Sequence, residues 1–122
     1  MTAQRTSSIR DPISTAELER RWRATRAAMA THNFDALVMQ SSEDWMGGYT
    51  RWFTDTPAIN AYPRSVIFPR DGLMTTCEVG IFGGEWKLDG QDPEHRGVEK
   101  RVSTPSFNGA VEYTARYDSE LM

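Results

Sequence analysis

The segment SVIFPRDGLMTTCEV, residues 65–79, decides the fold that we predict for this chain. Residues 65–68 and 73–79 read as two strands, and residues 69–72 between them contain the Asp-Gly pair typical of a tight turn. Gly72 can adopt the positive φ that such a turn requires. We therefore expect a β-hairpin in the middle of the chain.

A helix and a strand are predicted ahead of this hairpin. Ser14 is a suitable N-cap and Glu17 completes a capping box, while Asn33 suits the left-handed residue that ends a helix. Between them, apolar or small side chains recur at helical spacing, at Leu18, Trp22, Thr25 and Met29. The unbroken apolar run at residues 36–39 then predicts a strand that is buried on both faces.

The remaining segments have weaker patterns. We expect a short helix that is capped by Ser41 or Ser42 and shortened or ended by the glycines at 47 and 48. An irregular aromatic stretch is expected over residues 51–63, and a helical turn at residues 85–88. An exposed strand is predicted at residues 98–103. Residues 1–13 are predicted to be a flexible arm. A last amphipathic helix, marked by Ala110, Tyr113, Tyr117 and Leu121, shows no stop signal, which indicates that the chain is cut from a longer protein.

Composition narrows the classes of function. The chain has 122 residues, a formal net charge of −3 and one cysteine, Cys77. These values favour one domain, exclude an internal disulfide, and give no electrostatic reason to expect nucleic acid or an anionic membrane as a partner.

No apolar run approaches the roughly 20 residues of a membrane span, and no signal peptide is recognisable, so a cytoplasmic location is predicted. We name no catalytic residue and no metal ligand, and we interpret the turn containing His95 as solvated.

One cluster has the composition of a contact surface. Arg51, Trp52, Tyr62 and Arg64 combine cations and aromatic rings within a proline-containing stretch, and such residues dominate binding hot spots. The alternative interpretation is that these aromatic side chains cover the sheet edge and fill the core.

The order of these elements resembles the N-terminal domain of the creatinase, prolidase (Xaa-Pro dipeptidase) and aminopeptidase P family. The resemblance is carried by the helix over residues 18–29 and by FDALV at residues 34–38. SEDWMGGY at residues 42–49 is similar to the family's Ser-Pro-x-Asn-x-x-Tyr-x-(Ser/Thr)-Gly segment, and VIFPRDG at residues 66–72 is similar to its strand and turn. The resemblance covers about residues 14–122.

This resemblance implies an α/β fold, namely a three-layer α/β/α domain with a mixed sheet of the ribonuclease H-like type. It also implies a following "pita-bread" catalytic domain that binds two divalent metal ions, so no cofactor is expected in the present segment. The implied function is that of a non-catalytic domain of a metal-dependent hydrolase, serving dimerisation and active-site access or substrate selection.

The implied partners are the chain's own C-terminal catalytic domain, a second subunit in a homodimer, and a small-molecule or short-peptide substrate. Arg51, Trp52, Tyr62 and Arg64 would be the side chains that contact substrate or partner subunit. A stand-alone ligand-binding or protein-interaction α/β domain remains the alternative.

Overall fold

The computed structural model describes residues 12–41, 48–56, 63–80 and 83–104. These residues form two helices and five strands: α1 (Thr15–His32), β1 (Ala36–Ser41), α2 (Gly48–Thr54), β2 (Arg64–Pro69), β3 (Met74–Val79), β4 (Glu85–Lys87) and β5 (Val98–Thr104). The strands make one mixed sheet in the order β1-β2-β3-β5-β4. β3 and β5 are parallel, and the other neighbouring strands are antiparallel. The chain therefore has a mixed α/β fold.

Both ends of α1 lie where the sequence predicts them, but the capping box is only half formed, because the Glu17 carboxylate pairs with Arg20 and Arg21. The Ser14 hydroxyl accepts a hydrogen bond from the backbone N–H of Glu17 at 3.2 Å. At the other end Asn33 is left-handed, with φ 57° and ψ 41°. The Phe34 N–H then donates to the Met29 carbonyl at 2.9 Å, which completes a Schellman motif.

The Ser14 cap provides a stability prediction. Replacing Ser14 with alanine should lower the free energy of unfolding by about 1 kcal/mol, because the N–H of Glu17 loses its side-chain acceptor. Ser14→Gly should cost only a few tenths of a kcal/mol, since glycine is itself tolerated at this position. Urea denaturation monitored by circular dichroism measures both values, and equal losses in the two variants would contradict this role of the cap.

The central hairpin is also confirmed. β2 and β3 pair in antiparallel register, with Val66 opposite Thr76, and Gly72 in the connecting turn has a φ of +103°. Val66 and Phe68 point from β2 into the core, together with Met74 from β3. The hairpin thus forms the middle of the sheet on which the helices pack.

The prediction that residues 36–39 are buried on both faces is wrong. β1 lies at an edge of the sheet, and the Val38 side chain is 73% exposed. Only Leu37 and Met39 pack against the core, on the face that also carries Phe68. An apolar run indicates a strand, but it does not say how many faces of that strand are covered. Here α1 and α2 form a layer on one face of the sheet only.

Three further predictions are corrected by strand pairing and packing. Residues 85–87 are not a helical turn but form β4, which pairs with β5. β5 is not an exposed strand, because it lies between β3 and β4 and buries Val98 and Ser103. Residues 51–54 are not irregular but belong to α2, in which Phe53 and Thr54 are buried against the sheet. The short helix predicted after Ser41 or Ser42 falls on residues 42–47, which lie outside the described ranges.

Several predictions concern residues outside the described ranges: the arm as far as residue 11, the cap at Ser42, Tyr62, and the helix over residues 110–121. Ile13, which the predicted arm includes, packs against the core and donates its N–H to the Asp55 carboxylate at 2.8 Å. Within the described part of the chain, no helix is long and apolar enough to cross a membrane.

Candidate functional site

The short helix α2 presents an aromatic and cationic surface to solvent. Tyr49 is 76% exposed and Trp52 is 41% exposed, and Arg51 is exposed between them. We call these three residues the α2 surface. Thr50 and Phe53 point the other way and are buried. The two predicted site residues on this helix, Arg51 and Trp52, are therefore adjacent and accessible.

The α2 surface is held firmly by α1. The Arg21 guanidinium lies 5.1 Å from the centre of the Trp52 ring, and its Nη1 donates to the Trp52 carbonyl at 3.1 Å. The Trp22 indole N–H donates to the Phe53 carbonyl at 2.8 Å. These contacts fix both the backbone and one ring of the surface, so little conformational freedom remains to be lost when a partner binds.

Asp55 ends α2 and ties it to two other segments. It has a left-handed φ of 58°, and its N–H donates to the Arg51 carbonyl at 2.7 Å. Its buried carboxylate accepts from the Ile13 N–H at 2.8 Å and pairs with Arg96 Nη2 at 2.9 Å. The orientation of α2 is thus coupled to the start of α1 and to the loop before β5.

Arg64 is buried in the sheet and does not belong to the exposed α2 surface. Its residue exposure is 6%, and its Nη2 donates to Glu78 Oε2 at 2.6 Å. The other carboxylate oxygen of Glu78 accepts from Arg101 Nε at 2.8 Å. Burial raises the pKa of Glu78, but the two guanidinium groups outweigh this effect and hold it below its ordinary value. Glu78 is therefore a shared anion for two arginines on the helix-facing side of the sheet.

Two of these buried groups were not identified from sequence. Glu78 follows Met74 and Thr76 at alternate positions of β3, and all three are buried on one face. That alternation is a signal for an inward carboxylate, which needs a cation, but the pattern does not say which arginine supplies it. Asp55 carries the weaker signal of an aspartate that tolerates a left-handed conformation at the end of a helix.

Other hydroxyl groups surround this polar region. The Ser41 and Thr50 hydroxyls are 2.8 Å apart, and Thr76 Oγ1 is buried without a hydrogen-bond partner within the described ranges.

In the turn before β5, the His95 ring nitrogen Nδ1 lies 2.9 Å from the Asp92 carboxylate, and this hydrogen bond lowers the pKa of Asp92. Residues 12–41, 48–56, 63–80 and 83–104 contain no group of three or more His, Cys, Asp or Glu side chains that could hold a metal ion.

The four predicted contact residues are thus divided. Arg51 and Trp52 lie together on α2, Arg64 belongs to the buried pair with Glu78, and Tyr62 is outside the described residues.

A scan against models of known protein families finds no match to this chain, and a search of curated proteins finds no significant relative.

Proposed function

We propose that this chain is the non-catalytic N-terminal domain of a metal-dependent hydrolase of the creatinase, prolidase and aminopeptidase P type. Its role would be to contact a second subunit and to shape access to that subunit's active site. The observation that carries this proposal is the α2 surface, where an arginine and two aromatic rings are exposed on one seven-residue helix.

The composition and support of the α2 surface favour a contact role. Tryptophan, tyrosine and arginine are the side chains most enriched in binding hot spots. Burying an exposed ring such as that of Tyr49 is favourable, and Arg21 already holds Trp52 in place. Arg51 is the side chain that we assign to a substrate carboxylate, because guanidinium groups bind carboxylates with two parallel hydrogen bonds.

Arg64 has a different role in this proposal. Because it is buried and shares Glu78 with Arg101, we assign it to positioning the start of β2.

The finer fold is part of the proposal. The sheet face opposite the helices exposes Val38 and Ile67, which are cross-strand partners in β1 and β2. An apolar pair of this kind favours a second covering layer. We propose that such a layer is present, which would complete a three-layer α/β/α domain of the ribonuclease H-like type.

The proposal is tested on the full-length protein expressed from its natural gene. With Mn²⁺ and dipeptides that carry proline at the second position, we expect hydrolysis, and Arg51→Ala should raise KM about tenfold because a charge-assisted carboxylate contact is lost. Trp52→Ala should weaken the dimer about 30-fold in sedimentation equilibrium, the effect of removing a hot-spot tryptophan.

Trp86 supplies a matched control. It is also 41% exposed and also lies beneath an arginine, with Arg101 at 5.5 Å from its ring, but it is in β4 and away from α2. Trp86→Ala should leave KM and the dimer within about twofold of the parent values. Three outcomes would favour the stand-alone interaction domain instead: no hydrolysis, a parent protein that is monomeric, or equal effects of Trp52→Ala and Trp86→Ala.

A further inference from the structure

A cleft on the other side of α1 carries a second, independent inference. It lies between α1 and the loop that leads to β5, and its lining includes Glu19, Trp22, Arg23, Arg26, Leu73 and Gly97. We call it the α1–loop cleft. None of the α2 surface residues lines it.

The floor of the cleft is apolar and closely packed. Gly97 has a φ of +72°, and a Cβ atom built on it would lie 2.5 Å from the Trp22 ring. Gly90 has a φ of +83°, and a Cβ there would lie 3.0 Å from the Leu73 side chain. Glycine at these two positions lets the indole and the leucine pack directly against the loop backbone, and both apolar side chains line the cleft.

The loop that forms one wall is internally braced. The Gly97 N–H donates to the Gly90 carbonyl at 2.9 Å, and the Gly90 N–H donates to the Val98 carbonyl at 3.1 Å. Arg96 fastens this loop to the start of α1, since its Nη1 donates to the Ile13 carbonyl at 2.7 Å. The cleft therefore exists before any ligand binds, and a ligand need not order the loop.

The charge of the cleft is positive. The Arg96 guanidinium is neutralised by Asp55, but Arg26 donates only to the backbone carbonyls of Pro69 and Gly72. The guanidinium of Arg23, one helical turn before Arg26, has no hydrogen bond or ion pair with any other described residue. Glu19 is the one acidic residue in the lining, so two arginines without a bonded carboxylate face a single carboxylate.

Arg26 is partly shielded from water. Its guanidinium lies 4.6 Å from the centre of the Phe68 ring and is partly buried. Burial lowers the pKa of Arg26, and the nearby Asp71 carboxylate compensates only in part, so the guanidinium would gain from further negative charge. An anion in the cleft would supply that charge.

We propose that the α1–loop cleft binds a small organic carboxylate, with its apolar part against Trp22 and Leu73 and its carboxylate held by Arg23 and Arg26. An apolar floor with a few convergent polar groups at its rim is the usual construction of a small-molecule site. Guanidinium groups match the planar carboxylate better than an ammonium group would. The inference does not depend on the function proposed for α2.

The probes are benzoate and its neutral isostere benzamide, titrated into the ¹⁵N-labelled 122-residue chain. We expect benzoate to shift the backbone amides of Gly90 and Gly97 and the Trp22 indole N–H, and to bind about fivefold or more tightly than benzamide, because only benzoate gains charge-assisted hydrogen bonds. Raising the salt concentration should weaken benzoate and leave benzamide unchanged.

Three exposed residues of α1 make the test selective. Arg23→Gln should weaken benzoate about fivefold, and Glu19→Gln should strengthen it about twofold by removing a repulsive charge from the rim. Arg20→Gln is the control, because Arg20 is on α1 but pairs with Glu17 and does not line the cleft. The proposal would be overturned if benzoate and benzamide bind with equal affinity, or if millimolar benzoate shifts no amide resonance or shifts resonances away from the cleft. It would also be overturned if Arg23→Gln and Arg20→Gln have equal effects on benzoate binding.

Discussion

Replacing Glu78 with alanine is expected to lower the free energy of unfolding by about 3–5 kcal/mol, as breaking a buried ion pair does. The change removes the carboxylate that Arg64 and Arg101 share, and Arg64 is only 6% exposed. Urea denaturation at neutral pH measures the loss. Glu85→Ala is the matched control, because Glu85 is also a strand glutamate with a cationic partner, Lys100 at 3.1 Å, but that pair is exposed. It should cost less than about 1 kcal/mol.

The same carboxylate predicts a pH dependence. Because the pKa of Glu78 is lower in the folded chain than its ordinary value of 4.5, its contribution is fully present above that value and is lost as the pH falls through the folded-state pKa. The Glu78→Gln variant has no titratable group at this position. The difference in free energy of unfolding between the parent chain and this variant should therefore shrink below about pH 4.5. A difference that stays constant from pH 7 to pH 3 would contradict the ion-pair account.

Phe68→Ala is the second change with a large expected effect, about 3–5 kcal/mol. The Phe68 side chain is fully buried, its ring centre is 4.9 Å from that of Phe53, and the Arg26 guanidinium lies 4.6 Å from the same ring. Truncation therefore leaves a cavity at the junction of β2, α2 and α1, and it removes the aromatic surface under a partly buried cation.

The adjacent residue of β2 provides the control for this cavity. Ile67 points to the opposite face of the sheet and is 44% exposed, so Ile67→Ala should cost less than about 1.5 kcal/mol. Both variants are compared with the parent chain by urea denaturation at one temperature. Similar losses in the two variants would mean that the two faces of β2 are equally covered in solution, contrary to the described packing.

The candidate site was accessible to sequence reasoning only in part. Arg51 and Trp52 could be named because a cation next to a large aromatic ring is visible in the chain itself, and the structure places the pair side by side on α2. Arg64 was named for the same reason, but its surroundings depend on Glu78, a residue 14 positions away that strand pairing brings to it. Residue type alone does not distinguish an arginine at a contact surface from one held in a buried ion pair.

By itself, the sequence determined the features whose cause is local: the cap at Ser14, the left-handed Asn33 and the turn at Gly72. Each depends on the conformational preference of one residue or on hydrogen bonds within a few residues of it. Tertiary structure alone decided that β1 is an edge strand, that residues 85–87 pair with β5, and that α2 continues through residue 54. These outcomes depend on which surfaces meet across long separations in the chain, and burial against a distant element outweighs the weak preferences of a short segment.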